Sequence, residues 1–192
     1  MSTNAQRILT IECKDVILRE FLVEDVDAIY NITQQPHIIE FLPEWSVPKE
    51  QRLNWLTNYE TVENRKFIKA VADGGDVGQL RLRLGVILKE TGEFIGWCYT
   101  GIKEELPAPN REIAYAISDQ HANKGYTTQA AIGMINYLFE NTNVEELSAV
   151  AMHRNVSSNR VIQKCGFVLV NDIVIKEEAY YSYKLYKADW QK

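Results

Sequence analysis

The 192-residue sequence predicts one mixed α/β (α+β) domain, and three observations carry that prediction. Leu80, Leu82, Leu84, Val86 and Leu88 alternate with their neighbours over nine positions, the period of a strand with one buried face. Arg111 to Ala130 begins as an alternating strand (Ile113, Tyr115, Ile117), crosses the polar loop Asp119 to Lys124 and enters an apolar-periodic helix near Tyr126. The chain then closes on two β-rich runs, 167–175 and 179–186. No linker composition interrupts 1–192, so a single domain is expected.

Taken in order, residues 13–19 with Val16 and Leu18 read as a first strand. Glu24 and Asp25 stand at a helix start, and Val26, Ile29 and Ile32 form its apolar stripe until Pro36. Pro48 is placed to open a second helix carrying Leu53, Leu56 and Tyr59. Phe67 to Val71 reads as a strand, Asp73 to Asp76 as a turn, Leu80 to Leu88 as a strand, and Glu90 to Glu93 as a turn into a strand from Phe94 to Thr100. That is an antiparallel meander, broken by the loop 103–110. After the strand near 112–118 come a helix to Asn141 with Ala130, Met134, Ile135 and Leu138 inward, a strand from Glu146 to Met152, and a helix from Asn155 to Cys165.

Composition excludes several function classes. A net charge of −5 with scattered Lys and Arg argues against nucleic acid as a partner. No apolar run approaches the ~18 residues of a membrane span, and MSTNAQRILT lacks a signal-peptide profile. Cys13, Cys98 and Cys165 are odd in number and far apart, which suggests neither a disulfide framework nor a metal site. A reduced, cytoplasmic protein is the expectation. Exposed strand edges are compatible with a homodimer.

The loop between the 112–118 strand and the helix at Tyr126 points to chemistry. A helix start leaves its first N–H groups unpaired and presents the positive end of the dipole, which suits a phosphate. Gly125 allows close backbone approach and Lys124 adds charge. Asn155 and Ser158 precede and begin the next helix, where both residue types also serve as caps. Glu112 is either a general base or the outward residue of a strand. His121 reads as a solvated loop side chain, His37 and His153 have no evident partners, and Cys165 reads as a small buried hydrophobe. The aromatic groups of 41–45 and 180–183 belong to the core or to a substrate mouth.

Residues 153–167, with Asn155, Ser158, Arg160, Val161, Lys164, Gly166 and Phe167, resemble the N-x-x-S-x-R-V-x-x-K-x-G-F signature of the GNAT superfamily, in its RimJ/RimL-like branch of ribosomal-protein N-terminal acetyltransferases. Three more stretches resemble the family in order: Val16 to Arg19 with Asp25; Gly92 to Gly96; and Glu112 to Tyr115 followed by Lys124-Gly125-Tyr126 and Ala130. The resemblance covers about 16–186.

It implies a GNAT acyl-CoA N-acyltransferase fold, a mixed central sheet whose parallel strands 112–118 and 146–152 splay apart, flanked by helices. It implies acetyl-CoA as co-substrate, no metal, and direct attack of a primary amine on the thioester, most naturally a protein or peptide N-terminal α-amine. The cofactor-binding positions are Ala116, Ile117, Ser118, Ala122, Asn123, Lys124, Gly125, Tyr126, Thr127, Asn155 and Ser158. Glu112 would take the proton of the amine and Ser158 would serve the departing thiolate, with an N–H near Ile117 for the oxyanion. Asn123 replaces a glycine of the family loop, Gln129 an acid, and Ile162 the tyrosine that many members use as general acid. A small-molecule amine (polyamine, amino acid or aminoglycoside) is the rival acceptor, and a non-catalytic acyl-CoA-binding module the rival outside enzymes.

Overall fold

The computed structural model describes residues 8–190. Strands β1 (Thr10–Glu12), β2 (Val16–Glu20), β3 (Leu82–Leu88), β4 (Phe94–Ile102), β5 (Arg111–Ile117), β6 (Glu146–Met152), β7 (Val168–Ile175) and β8 (Glu178–Tyr186) form one sheet in the order β1-β2-β3-β4-β5-β6-β8-β7. All neighbours are antiparallel except β5 and β6. The helices are α1 (Val26–Thr33), α2 (Pro36–Phe41), α3 (Lys49–Trp55), α4 (Thr61–Ala72), α5 (Tyr126–Asn141) and α6 (Val156–Lys164).

Helices cover both sheet faces. Met134, Ile135 and Leu138 of α5, Phe67 of α4 and Ile162 of α6 pack with Leu82, Leu84, Ile95, Cys98 and Ile113. On the other face Ile29, Ile32, Ile38 and Leu56 pack with Ile87, Phe94, Trp97 and Ala116. The alternation in 80–88 predicted one buried face, but from Leu84 to Leu88 every residue is buried, because α1 and α2 lie over what a simple antiparallel sheet leaves to solvent.

The sequence reading of Phe67–Val71 as a strand is corrected here: the segment is the last part of α4. Glu60, Asn64 and Phe67 are buried at helical spacing, and that longer period overrides five locally β-like residues. Asn64 accepts from Arg83 N at 2.8 Å and donates to Arg83 O at 2.7 Å, so the helix finishes the ladder of β3 beyond the end of β2. The antiparallel run therefore consists of β1, β2, β3, β4 and β5.

Between α3 and α4 the helix widens into a π turn, Leu56–Glu60. It carries the buried acid Glu60, paired with Arg52, which is 1% exposed. The Arg52 guanidinium lies 5.2 Å from the ring centroids of both Trp45 and Trp55, and Trp45 stacks on Trp97 of β4 at 4.5 Å. The second oxygen of Glu60 lies 3.6 Å from Arg83 Nε. At the far edge, β7 exposes Val168 (68%), Leu169 (52%), Val170 (57%) and Val174 (73%), with a register irregularity between Leu169 and Asn171.

Removing one partner of a buried pair strands the other charge. Glu60→Ala is expected to lower unfolding stability by about 3–5 kcal/mol in urea denaturation, and adding Arg52→Met should restore part of that loss.

Candidate active site

β5 and β6 pair at a single register position, Glu112 with Ser148, and then part. The phase of β5 decides what faces the gap. Ser118 N–H donates to Ile95 O at 2.8 Å, and the β4–β5 register continues without a shift, so residues 112, 114, 116 and 118 turn their main-chain groups toward β4. Tyr115 and Ile117 turn theirs toward the gap. Of the sequence-predicted contacts in this strand, Ile117 thus offers an N–H to the gap. Ala116 points its side chain into the core, and Ser118 Oγ accepts from Gln35 Nε2 at 3.1 Å.

This stretch is braced from two sides. His37 Nε2 lies 2.9 Å from Ile117 O, and Gln35 Oε1 accepts from Asp119 N at 3.0 Å, so the corner between α1 and α2 grips the end of β5. His37 therefore has a partner the sequence did not reveal. On the β4 side, a Cβ at Gly96 would fall 2.2 Å from Ala116 O, so only glycine lets the two strands meet there.

The chain then makes a 3-10 turn, Asp119–His121, before α5. Ala122 N–H donates to Asp119 O at 3.2 Å, and the next main-chain N–H with a main-chain acceptor is that of Gln129, on Gly125 O at 3.1 Å. The N–H groups from Asn123 to Thr128, including those of Lys124, Gly125, Tyr126 and Thr127, are gathered at the positive end of a 16-residue helix. The fold requires left-handed backbone at Asn123 (φ 61) and Gly125 (φ 81), and a Cβ at Gly125 would project into open space. Asparagine tolerates that region, which is why it can stand at 123.

His121, read from sequence as solvated, is buried: its Nε2 lies 3.2 Å from Glu93 Oε1, tying the loop to the β3–β4 turn. Gln129 receives Asp15 N–H at 2.8 Å and donates to Asp15 Oδ2 at 2.7 Å. A carboxylate at 129 would face Asp15 as a like charge, so the amide fits this structure.

Asn155 caps α6, its Oδ1 accepting from Ser158 N at 3.1 Å. Ser158 Oγ is 3.3 Å from Tyr115 Oη, and that hydroxyl also donates to Ser158 O at 3.1 Å. Burial pushes the Tyr115 phenol well above its ordinary range. Ile162 is buried in the core, and Cys165 is a buried thiol pushed up to about 12 by desolvation.

At the paired end of the gap, Glu112 lines a cleft of about 500 Å³ with Arg81, Tyr99, Ile102, Lys103, Glu104 and Glu105. Burial raises the Glu112 carboxyl to about 7, opposed by the Lys103 charge. Burial and then the charge of Glu112 raise Tyr99. Arg81 and Tyr99 were missed in the sequence because cross-strand register, which no local pattern encodes, brings them to Glu112.

Several of the aromatic groups of 41–45 and 180–183 are packed against other side chains. Trp45 is built into the stack on Trp97, Tyr183 is buried with its hydroxyl 2.8 Å from Asn159 Oδ1, and Tyr181 stacks at 3.9 Å on His153, which also pairs with Asp172 at 2.9 Å. Burial raises the Tyr180 phenol, and Tyr180 is not among the residues that line the cleft. Among the described residues no cluster of three or more His, Cys, Asp or Glu is placed to hold a metal, and no helix is long and apolar enough to cross a membrane.

A family model described as "Acetyltransferase (GNAT) domain" matches residues 15–168. The chain is 24% identical over 156 residues to "Uncharacterized N-acetyltransferase YnaD" of Bacillus subtilis (strain 168), covering 81% of each chain. Its fold is similar to an acetyltransferase (GNAT family) from Bacillus anthracis, with a TM-score of 0.74 at 19% identity, over 94% of this chain and 100% of that one. It is also similar to a ribosomal-protein-S5-alanine acetyltransferase from Vibrio fischeri, with a TM-score of 0.72 at 18% identity over 96% and 100%. For the Microcin C7 self-immunity acetyltransferase MccE, solved with acetyl-CoA and AMP, the values are 0.70 and 14%, over 90% and 93%.

The raised carboxyl has a consequence for stability. The folded protein holds the proton of Glu112 up to about 7 while the unfolded chain releases it near 4.5, so folding loses free energy as pH rises between those values. Glu112→Gln should therefore stabilise the fold by about 1–3 kcal/mol at pH 8, an advantage that vanishes below about pH 4.5, as followed by denaturation across pH.

Proposed function

The chain belongs to the GNAT family of acetyltransferases, and from that premise we propose that it moves the acetyl group of acetyl-CoA onto a peptide or protein N-terminal α-amine. Acetyl-CoA would supply an acetyl thioester whose carbonyl carbon accepts the amine nitrogen. The residues present fit such a molecule: unspent N–H groups from Asn123 to Thr128 match a pyrophosphate, and the gap-facing main chain of Tyr115 and Ile117 matches an extended amide-bearing arm. Ile117 N–H would stabilise the charge developing on the carbonyl oxygen, an effect worth about 2.7–4 kcal/mol per donor in other acyl-transfer sites. Asn155 positions the first turn of α6, and with it Ser158, whose hydroxyl would hydrogen-bond the departing sulfur with Tyr115 behind it.

The choice of acceptor rests on Glu112, which lines the cleft at the paired end of the gap and whose carboxyl burial raises to about 7. An α-ammonium loses its proton at about 7.7–8.0 and an alkylammonium at about 10.4. Transfer to Glu112 is uphill by about 1 kcal/mol from the first and about 5 kcal/mol from the second, so this base suits α-amines better than polyamines or lysine side chains.

Thiol release from acetyl-CoA should be faster with N-terminal peptides than with a polyamine or an aminoglycoside; the reverse order would give the small-molecule reading the advantage. Cofactor binding without turnover on any acceptor would leave an acyl-CoA-binding module. In the wild type kcat should rise with pH through about 7 as Glu112 ionises, and Glu112→Gln should lower it by about a hundredfold or more and flatten that rise. An unchanged pH–rate profile removes Glu112 from the base role.

A further inference from the structure

We propose that the acceptor cleft selects peptides whose α-amine is accompanied by a carboxylate in the first or second residue, and that Arg81 is the side chain that reads that carboxylate. This rests on the reading of the acceptor as an α-amine.

The cleft holds an unmatched acid and an unmatched base. Glu112 and Arg81 both line it, and neither forms an ion pair or hydrogen bond with any other group among the described residues, including each other. The other cations nearby are committed. Lys103 pairs with Glu105 at 3.3 Å, Arg83 with Glu63 at 2.5 Å while stacking over Tyr99, and Arg111 donates to the carbonyls of Leu80 and Gly78. Glu104, which is exposed, also lines the cleft, and the exposed Glu44 acts on Glu112 electrostatically.

The placement of Arg81 is fixed by Gly101. A Cβ there would fall 2.2 Å from Tyr99 Oη and 3.0 Å from Arg81 Cγ, so both side chains lie across this bare stretch of β4. Gly101 is the register partner of Glu112, at the roughly 5.5 Å Cα separation of a hydrogen-bonded antiparallel pair. Arg81 and Glu112 thus flank the bare stretch of β4 in one partly desolvated cleft without pairing with each other. A ligand with an ammonium toward Glu112 and a carboxylate toward Arg81 satisfies both, and a guanidinium offers the carboxylate two parallel N–H donors. A neutral second residue leaves the guanidinium unmatched, and a cationic one meets a like charge.

The test compares kcat/KM for matched peptides with Asp or Asn at the first position, and with Asp, Asn or Lys at the second. The wild type should favour Asp over Asn by about tenfold at one of these positions and should disfavour Lys. Arg81→Gln should bring the Asp/Asn ratio to within about twofold, and Arg81→Lys should retain part of it, an effect a merely structural arginine would not produce. Equal use of Asp and Asn by the wild type, or a ratio preserved in Arg81→Gln, overturns the inference and leaves the α-amine reading standing. If no peptide is acetylated while a polyamine is, the α-amine reading falls and takes this inference with it.

Discussion

The molecule is organised around a loss of pairing. β5 and β6 share one register position and then separate, although both run through the centre of the sheet. A central strand with one open side leaves main-chain groups unsatisfied in a region that is otherwise core, which is costly unless something else orders or occupies them. The neighbouring elements compensate. His37 takes the carbonyl of Ile117, Gln35 engages Ser118 and Asp119, Ser158 meets the hydroxyl of Tyr115, and Gly96 lets β4 close tightly on the other side. The open strand is thereby held by side-chain contacts from neighbouring elements instead of by a full ladder with β6.

The same logic extends outward in two directions. Toward the start of α5, His121 on Glu93 and Gln129 on Asp15 anchor a loop whose main-chain N–H groups are left without main-chain partners. Toward Glu112, Trp97, Trp45, Arg52, Trp55, Glu60 and Arg83 form a stack of rings and charges reaching from β4 into the continuous α3–α4 helix and back over Tyr99. The wide turn at Leu56–Glu60 places Glu60 where this stack needs a negative charge.

Much of this was legible in the sequence where a signal is local and periodic. α5 and β6 have the bounds their patterns indicate, 126–141 and 146–152, because each is one long run with one period. The helix at 61–72 was misread because Phe67 to Val71 is β-like in isolation, while the residues that make it helical lie a turn or more earlier. The splay itself has no signature in composition or period and was reached through family resemblance. Arg52 and Glu60 could not be paired from the sequence, since charges eight residues apart on an ordinary helix stand about 12 Å apart along its axis. Arg81, Tyr99 and Glu112 meet only through register, and the position that admits them, Gly101, is marked by an absent side chain.

The two ends of the sheet are unlike, and this limits how copies of the chain can meet. β1 is three residues long, whereas β7 offers eight, with four apolar side chains turned to solvent. Growth into a fibre requires two complementary edges on every subunit, one to receive and one to extend. The long edge carries its exposed apolar side chains on a strand whose main-chain groups on one side have no neighbour in the sheet, the kind of surface that proteins ordinarily blunt with charge, proline or a covering element.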